Sequence, residues 1–320
     1  MKQPNVSVVI PCYNSEKSIG EVVEKVSAKL SEMGYTYEMV LVNDFSKDGT
    51  FQEIHRLAKK YSFVKGINLA KNFGQHNAIL AGFHYVSGSY VIGMDDDLQT
   101  DPSQFPKLFD KMKEGYDLVY GTYPMVRQSF FRRLGSRFNN VVLGRMIQQP
   151  AHIRTSSFWI AKAYVIKEAV KYEHSYTNLR GLFFRTTAYI ACVEVEHFAR
   201  KYGRSNYTLK SLIKLWSNCI NFSVAPLRIF LLIGSISSVG GFLGALTLII
   251  KKIMNINMSL GWPSLMAAVC FFSGIILIGI GLTGEYIGRA FMCINATPQY
   301  VVKEEINVQQ SICSGEEKEE

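Results

Sequence analysis

The sequence lacks the features of a secreted, disulfide-bonded or zinc-binding protein. Its six cysteines are scattered over 320 residues, without a Cys-x-x-Cys pair and without histidines at zinc-site spacing. This pattern favours a reducing compartment and argues against a disulfide scaffold and a structural zinc. The apolar run from Val6 to Ile10 is too short for a signal peptide, so we expect the N-terminal part to remain in the cytoplasm.

Positive charge and apolar residues are abundant instead. The formal net charge is +9, and 48% of the residues are hydrophobic. Such a charge suits nucleic acid, anionic lipid or a phosphorylated substrate. Because the basic residues concentrate beside apolar stretches and no recognition module is present, a nucleic-acid partner is disfavoured.

Two long uncharged stretches near the C-terminus predict membrane helices. Ile229–Ile250 and Leu265–Gly284 are each long enough to cross about 30 Å of hydrocarbon. The alternative is a pair of buried helices in a soluble protein. Basic residues on the outer flanks of the two stretches predict a multi-pass protein of the inner (plasma) membrane with both termini and the catalytic domain in the cytoplasm.

These patterns predict six consecutive segments and a disordered end after Glu304. The segments are a cytoplasmic domain over 1–205, a juxtamembrane amphipathic segment over 206–226, spans over 227–250 and 265–284 with an outer loop over 251–264, and a cytoplasmic tail over 285–320.

The first 125 residues alternate between strand-like and helix-like patterns. The predicted strands are Val6–Ile10, Tyr37–Val42, Val64–Leu69, Tyr90–Met94 and Asp117–Tyr120. The predicted helices are Ser18–Leu30, Thr50–Tyr61, Gln75–Val86 and Ser103–Lys113. This alternation predicts an α/β fold with a mainly parallel sheet, whose ligand binds at the C-terminal ends of the strands.

A run of carboxylates follows the fourth predicted strand. Asp95 and Asp97 are alternate residues of an extended segment, so both side chains can reach one hard divalent cation. The alternative is a solvated acidic turn, in which Asp101 caps the next helix.

Five motifs in order resemble the polyprenyl-phosphate branch of family 2 glycosyltransferases, and the resemblance runs from Val6 to about Val301. The motifs are Val8–Asn14, Val42–Thr50, Asn72–Phe83, Asp95–Gln99 and Gly284–Arg289. The resemblance implies a GT-A-like nucleotide-sugar-binding domain followed by an interfacial helix and the two spans.

The resemblance also implies roles for individual residues. The nucleotide-sugar is expected to contact Pro11, Tyr13, Asn14, Asp44, Lys71 and Asp95. Asp95, Asp97 and Gln99 are expected to hold Mg²⁺ or Mn²⁺. The phosphate of the lipid acceptor is expected to contact Arg127, Arg200, Arg204, Ser205 and Tyr207. Together with Asp95 and Asp97, Arg154 completes the predicted catalytic set.

Arg154 is where the sequence departs from the family pattern. The family's Asp-x-Gly-x-Phe-Arg segment corresponds to Arg154–Trp159, which puts Arg154 in place of the acidic residue often assigned as the base. A hydroxyl acceptor needs a base. A phosphomonoester does not, because its second pKa is roughly 6. An arginine is therefore compatible with a lipid-phosphate acceptor, whose anion it could bind.

The resulting hypothesis is an inverting, metal-dependent glycosyltransferase of cell-envelope biosynthesis. It would move a sugar from a nucleotide-sugar, UDP-linked by analogy, to undecaprenyl phosphate for cell-surface glycan or lipopolysaccharide modification. Two alternatives are a subunit of a processive polysaccharide synthase and a catalytically degenerate membrane scaffold. A homo-oligomer is left open.

Overall fold

The structure, a computed structural model, divides into two compact units: residues 1–209 with 298–320, and residues 210–297. It describes residues 4–123, 149–150, 152–174, 178–196, 198, 227, 232–236, 239, 243, 246, 250, 253–254, 261–295 and 297–308.

The first unit is built on one eight-stranded sheet. In chain order the strands are β1 (Val6–Cys12), β2 (Tyr37–Asn43), β3 (Val64–Leu69), β4 (Tyr90–Gly93), β5 (Leu118–Thr122), β6 (Trp159–Lys162), β7 (Ile190–Glu194) and β8 (Val302–Ile306). Their order across the sheet is β7-β5-β6-β4-β1-β2-β3-β8. Only β6 and β8 pair antiparallel to their neighbours, so the prediction of a mainly parallel sheet is confirmed.

The helices of this unit connect the strands. They are α1 (Ile19–Glu32), α2 (Thr50–Lys60), α3 (Gln75–Phe83), α4 (Phe105–Lys113), α5 (Ala163–Val170) and α6 (Leu179–Thr186). All seven residues of β1 are buried, as expected for a central parallel strand covered on both faces. Helix α1 buries Ile19, Val22, Val23, Val26 and Leu30, a stripe at helical spacing. The predicted elements of the first 122 residues are thus present, Val64–Leu69 with its predicted bounds and the others with shifted ends.

Strand β6 lies between β4 and β5, and it brings the segment before it to the C-terminal ends of the parallel strands. Glycines on the two neighbouring strands make room for its bulky residues. A Cβ atom at Gly93 would collide with the indole of Trp159, and one at Gly121 would collide with Phe158. Both aromatic side chains are buried, so the chain just before them is fixed in position.

Strand β8 contradicts the prediction of disorder immediately after Glu304, and residues 309–320 of the predicted disordered end lie outside the described residues. It pairs antiparallel with β3, and the Tyr85 hydroxyl donates to Glu305 at 2.5 Å. The side-chain amide of Asn307 donates to the backbone carbonyl oxygens of Ser62 and Val64 at 3.0 and 2.8 Å. Exposed edge strands often carry charged residues. The Lys-Glu-Glu sequence of β8 therefore looks like that of a solvated tail, which is why the sequence predicted disorder there.

In the second unit, one long helix differs from its predicted bounds. Helix α7 covers Trp262–Ile294, so it runs through the predicted span over 265–284 and ten residues into the predicted tail. By length and composition, Phe272–Ile294 is apolar enough to cross a membrane, and none of it is buried. The predicted juxtamembrane segment over 206–226 lies outside the described residues, as does most of the predicted span over 227–250.

Candidate active site

A cleft of about 330 Å³ opens at the C-terminal edge of the parallel strands. The ends of β1, β2 and β4 and the loop before α3 form its walls. Its lining residues are Pro11, Cys12, Tyr13, Asp44, Asn72, Gly74, Gln75, Asp95, Asp96 and Asp97. Five of the predicted site residues are thereby brought together: Pro11, Tyr13, Asp44, Asp95 and Asp97.

Hydrogen bonds connect the loops that follow β1 and β2. The backbone amide of Asn14 donates to the Ser46 hydroxyl at 3.0 Å, and the backbone amide of Lys47 donates to Asn14 Oδ1 at 2.9 Å. Asn14 adopts a left-handed backbone conformation, which asparagine tolerates well. Asn14 does not line the cleft, and its side-chain oxygen holds the neighbouring loop.

Asp44 fixes the loop that precedes α3. Its side chain is 4% exposed, and its two carboxylate oxygens accept hydrogen bonds from the backbone amides of Phe73 and Gly74 at 2.7 and 2.9 Å. A carboxylate at a helix N-terminus is favoured by the helix dipole. Asp44 therefore shapes the cleft wall through the backbone of this loop.

The acidic run after β4 is tied to three other segments. Gln75 Nε2 donates to Asp95 Oδ1 at 2.7 Å, and the Ser157 hydroxyl donates to Asp95 Oδ2. Asp96 accepts from the Tyr13 amide at 3.0 Å. Burial, and the negative charges of Asp95 and Asp97, raise the pKa of Asp96 to about 6, although its hydrogen bonds oppose the shift.

Among the described residues that line the cleft, Cys12 is the only one with a thiol. Burial, followed by the negative charge of Asp96, raises the pKa of its thiol well above the ordinary value. The thiol is therefore protonated at neutral pH and unsuited to nucleophilic attack.

The donor set of the cleft fits a divalent cation that shares its ligands with a substrate. Among the described residues, no three His, Cys, Asp or Glu side chains form a group able to hold a metal ion by themselves. Asp95 and Asp97 supply hard oxygen donors on one side of the cleft, as Mg²⁺ and Mn²⁺ prefer. Mg²⁺ in particular is commonly bound by one or two carboxylates together with substrate phosphates.

Three further predicted residues lie apart from the cleft lining. The Lys71 ammonium lies 5.0 Å from the centre of the Phe73 ring. The backbone amide of Gln99 donates to Asp97 Oδ1 at 3.1 Å. Arg154 is exposed, and its backbone exchanges hydrogen bonds with the Cys192 thiol. The predicted lipid-phosphate residues Arg127, Arg200, Arg204, Ser205 and Tyr207 lie outside the described residues.

Sequence reasoning assigned no role to Gln75, Asp96 or Ser157. Gln75 and Asp96 stand within motifs that carry the family resemblance, which was the available signal. Ser157 stands in the segment that departs from the family pattern, so nothing in the sequence pointed to its contact with Asp95.

A mainly parallel α/β sheet with an acidic cleft at its C-terminal edge is the architecture of a glycosyltransferase domain of the GT-A type. The chain belongs to glycosyltransferase family 2, whose model matches residues 7–169. It is 36% identical over 312 residues to the undecaprenyl-phosphate 4-deoxy-4-formamido-L-arabinose transferase of Serratia proteamaculans, covering 95% of this chain and 94% of that protein. The transferase of the same name from Yersinia enterocolitica is 33% identical over 319 residues, covering 97% and 96%.

Solved structures agree with this fold. Glucosyl-3-phosphoglycerate synthase from Mycobacterium tuberculosis, in complex with Mn²⁺, uridine diphosphate and phosphoglyceric acid, superposes with a TM-score of 0.52 at 18% identity. The match covers 68% of this chain and 78% of that chain. The predicted family and GT-A-like fold are thus confirmed.

Proposed function

We propose that this glycosyltransferase moves a sugar from a UDP-linked donor to undecaprenyl phosphate, for lipopolysaccharide or other cell-envelope glycan modification. The observation that carries this proposal is the carboxylate-lined cleft, formed by strand ends of a family 2 domain, in a chain that also has a long exposed apolar helix. The near full-length similarity to transferases named for undecaprenyl phosphate supports the choice of acceptor.

Asp95 and Asp97 would hold Mg²⁺ or Mn²⁺ in the cleft. When bound, such a cation neutralises the charge that develops on a departing nucleoside diphosphate. The structural relative that contains Mn²⁺ and uridine diphosphate supports both the divalent metal and the uracil base. The two carboxylates would contribute hard anionic oxygens at the end of β4.

The remaining cleft residues would bind and orient the donor. Tyr13 is 48% exposed, so its ring is available to stack on a nucleobase next to Pro11. Asp44 holds the Phe73 and Gly74 backbone amides, which keeps Asn72 and Gln75 on the cleft wall. Orientation of this kind places the anomeric carbon for attack.

The acceptor would attack as an anion, without a protein base. A phosphomonoester oxygen is already charged near neutral pH, so a cationic side chain can orient it without removing a proton. Arg154 is proposed for this role, since it is exposed in the segment that also contains Ser157. A single displacement inverts the anomeric configuration.

The membrane arrangement is proposed on the same basis. Two spans, over 227–250 and 265–284 with the second extended to Ile294, would anchor the enzyme in the inner membrane. Both termini and the first unit would lie in the cytoplasm, where nucleotide-sugars are available.

The test is a product assay with the purified full-length protein. It is incubated with undecaprenyl phosphate, Mg²⁺ or Mn²⁺ and a panel of nucleotide-sugars, and the lipid fraction is analysed by mass spectrometry. One added sugar residue per lipid phosphate is the expected product. A ladder of products would support a polysaccharide synthase, and the absence of product despite nucleotide-sugar binding would support a scaffold.

A further inference from the structure

Two side chains from distant parts of the chain meet on the two oxygens of the Asp95 carboxylate. Gln75, the first residue of α3, donates to Oδ1 at 2.7 Å. Ser157, just before β6, donates to Oδ2. One donor does not exhaust a carboxylate oxygen, because such an oxygen accepts about two hydrogen bonds.

Ser157 is itself held in position. Phe158 and Trp159, the residues that follow it, are buried at the sheet centre. The Tyr123 hydroxyl lies close to Ser157 and 2.8 Å from the Thr100 hydroxyl. A side chain anchored on several sides can fix the orientation of its partner.

Both donors are electrically neutral. A lysine or arginine in either place would orient the carboxylate but would also cancel its charge and weaken it as a ligand for a cation. Amide and hydroxyl donors restrict the rotation of the carboxylate while its full negative charge remains available. Partners of this kind, which hold a ligand and do not touch the metal, commonly contribute 10- to 100-fold to metal affinity.

We infer that Gln75 and Ser157 are positioning residues that set the Asp95 carboxylate for a divalent cation. The inference rests on the proposed metal-dependent function, and it assigns a role to the segment in which the family's acidic residue is replaced. The segment then has two roles: Arg154 binds the acceptor phosphate, and Ser157 positions the metal ligand Asp95.

The test measures metal affinity directly. Mn²⁺ is titrated into full-length protein in detergent with saturating UDP, and free Mn²⁺ is followed by electron paramagnetic resonance. We expect Ser157→Ala and Gln75→Ala each to weaken Mn²⁺ binding about 10-fold. Ser157→Thr keeps the hydroxyl and should restore most of the affinity. In turnover, excess Mn²⁺ should recover much of the lost rate.

Ser156→Ala is the matched control. The Ser156 hydroxyl also makes hydrogen bonds, but all of them go to the backbone of Gly121 and Phe158. This variant should change thermal stability and bind Mn²⁺ with the same affinity as the wild type. Gln75 is exposed, so Gln75→Ala is expected to fold even if Ser157→Ala does not.

The outcomes separate the inference from the proposed function. Suppose that the wild type binds Mn²⁺ in the presence of UDP, and that Ser157→Ala and Gln75→Ala bind it with the same affinity as Ser156→Ala. The positioning role is then wrong and the proposed function stands. If the wild type binds no Mn²⁺ in the presence of UDP, both are wrong.

Discussion

Asp97 offers the most direct test of the metal assignment at the scale of single residues. Asp97→Asn keeps the size of the side chain and removes one charged ligand, so turnover should fall by about 100-fold or more while the thermal unfolding midpoint changes little. A chelator should have the same effect on the wild type. The measurement is initial rate against metal concentration.

Asp110→Asn is the control for this substitution. Asp110 is 70% exposed and pairs with Lys113 on the surface of α4. Its loss should leave the rate unchanged. Full activity of Asp97→Asn, or of the wild type in excess chelator, would contradict the metal assignment.

Arg154 allows a test on the acceptor side. Arg154→Ala should raise the KM for undecaprenyl phosphate about 10- to 100-fold and leave donor binding near normal, because one charge-assisted hydrogen bond is lost. Arg56→Ala is a suitable control, since Arg56 is exposed and pairs with Glu53 on α2. Arg154→Asp should weaken lipid use further. A faster rate with unchanged lipid affinity would instead indicate that a carboxylate is required there.

Phe45 adopts a left-handed backbone conformation directly after Asp44, with φ of 57° and a ring that is 47% exposed. A bulky residue is costly in this region, and glycine is not. Phe45→Gly should therefore raise stability by about 0.5–1 kcal/mol relative to Phe45→Ala, which keeps the Cβ atom. Thermal unfolding of the two variants measures the difference, and equal midpoints would contradict it.

Much of the site was accessible from the sequence because its residues follow strands that the hydrophobic pattern locates. Pro11 and Asp95 come directly after such strands and Asp44 follows two residues after one, and parallel strands end at one edge. The contact between Ser157 and Asp95 was not accessible, since it depends on β6 running antiparallel between β4 and β5. That placement is decided by tertiary packing of Trp159 against Gly93, which no local pattern encodes.

At the scale of secondary-structure elements, predictions succeeded where each strand and helix repeats a regular pattern. The first four strands are short buried runs, and α1 and α2 have strong apolar stripes. Strand β8 was not predicted because three of its five residues are charged and its partner β3 is distant in the sequence. Helix α7 extends ten residues beyond the predicted span, because the span was defined by the absence of charged residues, whereas the helix continues through Glu285 and Arg289.

A polar network connects four elements at the end of the sheet opposite the cleft. Glu38 on β2 accepts from the Ser7 hydroxyl of β1 at 2.6 Å, from the Ser87 amide before β4, and pairs with Lys65 of β3 at 2.7 Å. Burial alone would raise the pKa of Glu38, but Lys65 and the hydrogen bonds outweigh burial and lower it. The ionised carboxylate is thus part of what holds the strands together.

Glu38→Gln should therefore lower stability by about 2–3 kcal/mol at neutral pH. Because the pKa is lowered on folding, this contribution is complete above the unfolded value of about 4.3 and is lost as the pH falls through the folded value. Thermal midpoints from pH 3 to pH 7 should show a gap between wild type and variant that narrows below about pH 4. A gap independent of pH would contradict the assignment.

At the scale of the whole molecule, the proposed membrane arrangement predicts which residues face outwards. In a variant without native cysteines, a cysteine at Asn257 should react with an impermeant thiol reagent in intact cells. A cysteine at Glu317 should react only after permeabilisation. Both positions lie outside the described residues. Protection at Asn257 with labelling at Glu317 would reverse the orientation.

The pairing of β8 with β3 also fixes the order of events during biosynthesis. Strand β3 emerges from the ribosome more than two hundred residues before its outer neighbour, and residues 210–297 are made in between. At about 5–20 residues per second, β3 waits roughly 10–50 seconds with an uncovered edge. The sheet of the first unit is therefore completed only after the long apolar helix has been synthesised, so a truncated nascent chain cannot have a complete sheet.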